Sequence, residues 1–194
     1  RGAGATADRI HRSGLLLDSH DTPTLAHRRP DPHARSLAWT VAACLPLNLS
    51  VYCLSCADVA VAGDPENRQP MPWDRIPVGG AVERALALRA RVAALRLGGY
   101  APLEAPGLWA FRREVEGPGS VVVVVNPGEE PARLAAVPRG RAIHDLVSGE
   151  RLRVRAGFLT VPPRSVWVLP ERRTEAPAPP RSVAGSGPGP AGAR

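Results

Sequence analysis

The sequence changes its pattern near residue 100, and this change constrains the fold more than any other feature. Before it, short apolar runs alternate with a stretch of helical periodicity, which is typical of β/α units in a parallel sheet. After it, short β-branched runs are separated by turns rich in Gly and Pro, which is the pattern of a small antiparallel sandwich. The expected fold class is therefore α/β followed by all-β.

The first segment predicts the order strand, loop, helix, strand. Residues 15–17 form an apolar run that predicts a strand buried on both faces. Apolar positions spaced four residues apart predict a helix over residues 33–44, which Pro46 ends. The β-branched and aromatic content of residues 47–54 predicts a second buried strand.

A long polar connection and a second helix follow. Residues 57–80 form a loop longer than compact domains usually contain, and such loops commonly line sites. A helix is predicted over residues 81–97, with Gly98 and Gly99 capping its end.

Beyond residue 100 the pattern predicts several short strands and then a tail. The predicted strands are residues 108–115, 121–125, 132–137, 142–147, 151–155 and 165–169. After Pro170 the composition is dominated by Pro, Ala, Gly, Ser and Arg, which predicts disorder over residues 171–194.

Charge and hydropathy limit the classes of partner. The formal net charge is +7, but all 25 positive residues are Arg, scattered without aromatic interleaving. This bias is typical of a GC-rich genome, so solvated faces are favoured over a nucleic-acid site. The longest apolar stretch, residues 41–54, is interrupted by Pro, Asn and Ser and is too short to span a bilayer, and no signal peptide is visible. We expect neither nucleic acid nor membrane as a partner.

The chain contains three cysteines: Cys44, Cys53 and Cys56. An odd and sparse set gives no disulfide framework, which favours a reducing compartment and a cytoplasmic location. The Cys53-x-x-Cys56 spacing is that of half a zinc or redox site, but no second pair completes it. Buried free thiols are therefore the favoured interpretation, and neither a metal nor a cofactor is expected.

A series of segments, in order, resembles parts of the α-amylase superfamily, glycoside hydrolase family 13. Residues 15–23 (Leu-Leu-Leu-Asp-Ser-His-Asp-Thr-Pro) resemble its seventh barrel strand, which ends in Asn-His-Asp. Residues 45–52 resemble the eighth strand. Residues 64–74 (Asp-Pro-Glu-Asn-Arg-Gln-Pro-Met-Pro-Trp-Asp) are similar to the loop after that strand. The segments similar to the appended β-sandwich are residues 108–114, 121–126, 142–150 and 162–169.

The resemblance implies an incomplete (β/α)8 barrel end over residues 1–99 and a small antiparallel β-sandwich over residues 100–170. It implies that Asp21 occupies the position of the carboxylate that stabilises the oxocarbenium-like transition state, and that His20 occupies the neighbouring sugar-binding position. Asp64 and Arg68 could contact sugar. Trp73 could form a sugar platform or, equally, seal the loop by packing.

The same resemblance implies that catalysis is incomplete. Retaining glycosidases need a nucleophile and an acid/base carboxyl group about 5 Å apart. In this family both come from the fourth and fifth strands, which have no counterpart among the segments matched. Ser19 replaces the family's Asn, Thr24 stands where Arg is frequent, and Leu54-Ser55-Cys56 replaces a Gly-Asp-Glu.

Three hypotheses about function follow. The chain is the C-terminal part of an α-glucan-acting glycosidase, inactive alone, whose partners are an α-glucan or maltooligosaccharide and the missing N-terminal part of the barrel. Alternatively, it is a degenerate, non-catalytic module that binds carbohydrate or a partner. A basic nucleic-acid binder is supported only by the pI of about 10.8.

Overall fold

The computed structural model describes residues 13–116, 119–135 and 142–171, and these form a mixed α/β structure with antiparallel sheets. The tail predicted over residues 171–194 lies, from residue 172 onward, outside the described residues.

The first elements form a short β/α/β unit. Strands β1 (Gly14–Leu16) and β2 (Asn48–Ser50) pair in parallel, with Leu15 opposite Leu49. Helices α1 (Leu25–Arg28) and α2 (Pro32–Cys44) lie between them in the sequence. Helix α2 begins where Asp31 accepts a hydrogen bond from the His33 N–H at 2.9 Å and Pro32 occupies the first turn. The helix predicted over residues 33–44 is confirmed.

Both strand predictions in this unit need correction. The strand predicted to be buried on both faces is open to solvent, with Leu16 56% exposed, because β2 is its only strand neighbour among the described residues. The second strand ends at Ser50 and is followed by a one-turn helix, α3 (Cys53–Cys56). Residues 51–54 do not continue the strand because β1 ends at Leu16, opposite Ser50.

The helix predicted over residues 81–97 is two helices. Helix α4 (Ala81–Arg91) ends at Val92, whose backbone is extended with φ −103° and ψ 102°, and α5 (Ala93–Leu97) follows. The break places Ala94 and Leu95 in the core, together with Val92. Gly98 ends α5 as predicted, and a Cβ atom there would lie 2.4 Å from the Ala94 carbonyl oxygen, so a larger residue does not fit.

A four-stranded antiparallel sheet organises the second segment. It contains β3 (Gly99–Leu103), β4 (Trp109–Glu114), β5 (Val121–Asn126) and β10 (Ser165–Pro170), in the order β10-β5-β4-β3. Strand β3 was not predicted, because its glycine suggested a helix cap and Pro102 interrupts the run. Its edge position explains the proline, since one side of an edge strand needs no ladder donors.

Two strand pairs complete the described structure. Strands β6 (Ala132–Ala135) and β9 (Phe158–Val161) pair antiparallel, as do β7 (Ala142–His144) and β8 (Arg151–Arg153). Strands β7 and β8 are shorter than predicted. Strand β6 agrees with its prediction over residues 132–135, and residues 136–137 of that prediction lie outside the described residues. Strand β9 was missed, although Leu159 and Val161 alternate with exposed neighbours as in a half-buried strand.

The sheet is covered on both faces. Val121, Val123 and Val125 contribute to a core shared with α2, α4 and α5, whereas Val122 and Val124 contribute to a core shared with β6, β7 and β9. All six residues of β5 are buried, which explains its unbroken run of valines. The helices of the first segment and the sheet of the second therefore share one core. Neighbouring domains can also share such an interface, so the division at residue 99 stays a prediction.

A buried arginine joins these two segments. Arg113 on β4 is 0% exposed, and its guanidinium donates to the carbonyl oxygens of Cys44 (2.6 Å), Gly98 (2.8 Å) and Gly99 (3.1 Å). Burial of the charge, with a smaller effect of nearby Arg89, lowers the pKa of Arg113 to about 10. The guanidinium stays charged at neutral pH. It provides hydrogen-bond donors for the backbone carbonyl groups at the end of α2 and at the start of β3.

Candidate functional site

Parallel pairing of β1 and β2 brings two loops together. The carboxyl ends of parallel strands meet at one edge of a sheet, so residues 17–24 and the chain beyond Ser50 emerge side by side. The buried carboxylate of Asp18 holds them: it accepts hydrogen bonds from the Ser55 hydroxyl at 2.6 Å and from the Leu25 N–H. Arg28 lies 3.5 Å from the same carboxylate, which provides a partner for the buried charge.

Thr24 ties the same loops at a second point. Its hydroxyl donates to the Val59 carbonyl at 2.8 Å and accepts from the Val61 N–H at 3.1 Å, and it is the N-cap of α1. Its buried side chain thus has a structural role at the position where the resembling family often carries Arg.

Ser19 shapes the turn that presents Asp21. Its hydroxyl lies 3.0 Å from the Thr22 hydroxyl and accepts a hydrogen bond from the Asp21 N–H at 3.2 Å. A short hydroxyl side chain of this kind stabilises a tight polar turn. The Asp21 carboxylate consequently points outward, with its side chain 62% exposed.

Four of the predicted site residues form one charged cluster. The Asp21 carboxylate lies 2.8 Å from Nη2 of Arg68 and 3.2 Å from Nε2 of His20. Arg68 Nε donates to the Asp64 carboxylate at 2.7 Å. We call His20, Asp21, Asp64 and Arg68 the Asp21 cluster. The hydrogen bond to Asp64, followed by the charges of Asp64 and Asp21, raises the pKa of Arg68, so this guanidinium remains a cation between two carboxylates.

Asn67 anchors the loop that carries Arg68. It is fully buried in a 3-10 turn, Glu66–Arg68, and its side-chain amide donates to the Thr22 carbonyl at 3.3 Å. The Tyr52 hydroxyl donates to the Asn67 carbonyl. Sequence reasoning missed Asn67, although a polar residue within Pro-Glu-Asn-Arg predicts a turn.

Trp73, the fifth predicted residue, lies outside the Asp21 cluster. It begins another 3-10 turn, Trp73–Arg75, and is 76% exposed. The described geometry therefore leaves the face of its ring available to solvent.

The cysteines depart from the expectation of buried thiols. Cys44 is buried, but Cys53 is exposed and Cys56 is half-buried. Over residues 13–116, 119–135 and 142–171, no group of three or more His, Cys, Asp or Glu could hold a metal ion. In the same residues no helix is long and apolar enough to cross a membrane.

No family model matches the sequence, and no curated protein matches it. Solved structures do match. An Anoxybacillus α-amylase superposes with a TM-score of 0.69 at 22% identity, over 89% of this chain and 41% of that enzyme. The α-amylase of Geobacillus thermoleovorans, solved with acarbose, gives a TM-score of 0.68 at 20% identity over 84% of this chain and 39% of that enzyme.

A third match is closer in sequence. Ttha1563 from Thermus thermophilus is 33% identical, with a TM-score of 0.63 over 81% of this chain and 35% of that protein. The chain spans less than half the length of each of these three proteins. The described fold is accordingly that of a minor part of α-amylase-family glycoside hydrolases.

Proposed function

We propose that the chain is the C-terminal part of an α-glucan-acting glycoside hydrolase. In this proposal β1 and β2 are the last two strands of a (β/α)8 barrel, and residues 100–170 form the β-sandwich that follows it. Asp21 stabilises the transition state, and His20 binds the neighbouring sugar hydroxyls. Asp64 and Arg68 contact sugar as well, and Trp73 forms a platform beneath a sugar ring.

The position of the Asp21 cluster is the observation that supports this proposal. Asp21 follows β1, and Arg68 lies in the long loop after β2, yet their side chains meet 2.8 Å apart although 47 residues separate them in the sequence. The two strands run in parallel, so the cluster lies beyond their carboxyl ends. Enzymes with (β/α)8 barrels keep their active sites at this end of the strands.

The chemistry of the cluster fits binding better than bond cleavage. A carboxylate held by Arg68 and His20 accepts hydrogen bonds, as a sugar hydroxyl requires. Retaining cleavage needs two carboxyl groups on opposite sides of the scissile bond, one of them protonated. Asp21 and Asp64 instead both pair with the guanidinium of one side chain, Arg68, on an exposed surface. We therefore expect the chain alone to be inactive.

Hydrolysis of sugars tests this proposal directly. The purified chain is incubated with maltose, maltodextrin, pullulan and p-nitrophenyl α-glucoside, and released reducing sugar or p-nitrophenol is measured. We expect no release. Turnover that disappears in Asp21→Ala would contradict the assignment of the missing nucleophile and acid/base to another part of the barrel.

Ligand binding tests the sugar-contacting role. Maltotriose and acarbose, which appear in complexes with neighbouring structures, are titrated against the chain by calorimetry or NMR. We expect weak binding that Asp21→Asn reduces about tenfold, because the amide loses the charge that pairs with Arg68. Glu129→Gln, which removes an exposed carboxylate from a turn outside the cluster, should leave binding unchanged.

A non-catalytic carbohydrate-binding or partner-binding module is the second candidate. Trp109 on β4 favours it: the ring is 41% exposed and lies 5.3 Å from the Phe111 ring, which fixes its orientation. Loss of maltotriose binding in Trp109→Ala, with binding intact in Asp21→Asn, would support this module. The opposite pattern would support the barrel site.

The cytoplasmic location expected from the sparse cysteines remains part of the proposal.

A further inference from the structure

The Cys53-x-x-Cys56 pair has no part in the proposed sugar site, and its geometry suggests a chemistry of its own. Both residues belong to α3, a single helical turn. Side chains three residues apart on a helix lie on one face, with Cβ atoms about 5–6 Å apart. A disulfide requires a Cβ separation of about 3.5–4.5 Å, so a small tightening of this turn brings the two sulfur atoms into bonding distance.

The exposure of the three thiols assigns each a different part in this chemistry. Cys53 is exposed and open to a small oxidant, whereas Cys56 is half-buried beside it. Burial, together with the nearby Cys53, raises the pKa of Cys56. Cys44 is fully buried in the core, and burial raises its pKa to about 12, so it does not compete for the oxidant.

We propose that Cys53 and Cys56 form a reversible intrachain disulfide when the chain meets a peroxide. The Cys53 thiolate attacks one oxygen of hydrogen peroxide, the O–O bond breaks, and Cys53 becomes a sulfenic acid while hydroxide leaves. The Cys56 sulfur then attacks the Cys53 sulfur, and the sulfenic oxygen leaves as water. One peroxide is reduced to two waters as two thiols are oxidised, and an added dithiol reverses the change.

A closed metal site fits this pair less well. Structural zinc sites take four ligands, and the described residues contain no group of three or more His, Cys, Asp or Glu that includes the pair.

The neighbours of the pair connect the turn to the Asp21 cluster. Ser55, between the two cysteines, binds Asp18, and Tyr52, just before them, binds the Asn67 carbonyl next to Arg68.

Differential alkylation of the full chain tests the disulfide. The reduced chain is treated with hydrogen peroxide, free thiols are blocked with iodoacetamide in denaturant, and the chain is then reduced and labelled with N-ethylmaleimide. Trypsin releases residues 36–68 as one peptide that contains all three cysteines, because no Arg lies between Arg35 and Arg68. Fragmentation of that peptide assigns the label to each sulfur.

We expect maleimide at Cys53 and Cys56 but not at Cys44. The amount of maleimide at these two sites should be about tenfold higher than in the chain not exposed to peroxide. Cys53→Ser should abolish the label at Cys56, and Cys56→Ser should leave Cys53 as sulfenic or sulfinic acid. Iodoacetamide at both sites, sulfinic acid at Cys53 with Cys56 still free, or a disulfide between two chains on a non-reducing gel would each overturn the proposal. The first labelling uses the unsubstituted chain, so its outcome does not depend on a variant that folds.

Discussion

At the scale of single residues, two adjacent arginines on β4 show how position decides the role of a side chain. Arg112 reaches surface carboxylates, with Nε 2.7 Å from Glu171 and Nη1 3.2 Å from Glu114. Arg113 points to the opposite face and is fully buried among three backbone carbonyls. The sequence Arg-Arg gives no indication of this difference, because only the sheet determines which face meets the helices.

We expect Arg113→Met to lower the free energy of unfolding by about 2–4 kcal/mol. Two buried carbonyls and a partly buried one would lose their donor at about 1–3 kcal/mol for each buried group, and relief of the desolvated charge offsets part of that loss. Arg112→Met, the matched control, should cost less than about 1 kcal/mol because surface ion pairs are weak. Urea unfolding followed by circular dichroism measures both, and equal effects would contradict the structural role assigned to Arg113.

The residue scale also shows the limit of reading the site from sequence. His20, Asp21, Asp64 and Arg68 were all named from the resemblance of residues 15–23 and 64–74 to the α-amylase superfamily, and the structure brings them into contact. Asp18, Thr24 and Asn67 hold those loops in place but were not predicted to do so. Their contacts join positions far apart in the chain, such as Thr24 and Val59, and no local pattern encodes such contacts.

At the scale of elements, local chemistry fixed the strongest helix and tertiary contacts fixed the weaker elements. Helix α2 has an Asp N-cap, a proline in its first turn and a proline shortly after its end, and all three act within a few residues. The break at Val92 and the end of β2 at Ser50 depend instead on what packs against those segments. Prediction from sequence therefore located α2 within a residue but misjudged the strand over residues 47–54 and the helix over residues 81–97.

Strand β5 allows a prediction about its two faces. We expect Val123→Ala and Val122→Ala each to lower the free energy of unfolding by about 1–3 kcal/mol, because each removes buried methyl groups from a different core. Val78→Ala, at a side chain that is 99% exposed, should change it by less than about 0.5 kcal/mol. The measurement is thermal or urea unfolding of the three variants. A neutral effect at Val122 alone would mean that the face toward β6, β7 and β9 is not closed.

At the scale of the whole molecule, the helices of the first segment and the sheet of the second form one core. Phe111, Val121 and Val123 pack with Leu88 of α4 and Leu95 of α5. The four-stranded sheet thus has one face whose apolar side chains are covered by residues from before position 100. Stability is shared across the predicted division at residue 99.

Separate expression of residues 100–171 tests this sharing. We expect the segment to bind the dye ANS and to unfold with less cooperativity than the full chain, because removal of the helices exposes an apolar sheet face. Residues 81–171, which retain α4 and α5, should bind less dye. Cooperative unfolding of residues 100–171 without dye binding would contradict the shared core and support an independent second domain.

The sequence by itself determined the change of pattern near residue 100 and the bounds of helix α2 to within a residue. These features depend on interactions within a few residues, such as caps, turns and hydrophobic periodicity. Tertiary structure alone decided that Asp21 meets Arg68, that Arg113 is buried, that β5 is covered on both faces and that Cys53 is exposed. Each of these depends on segments tens of residues apart, whose contacts are set by burial of apolar surface and by satisfaction of buried polar groups.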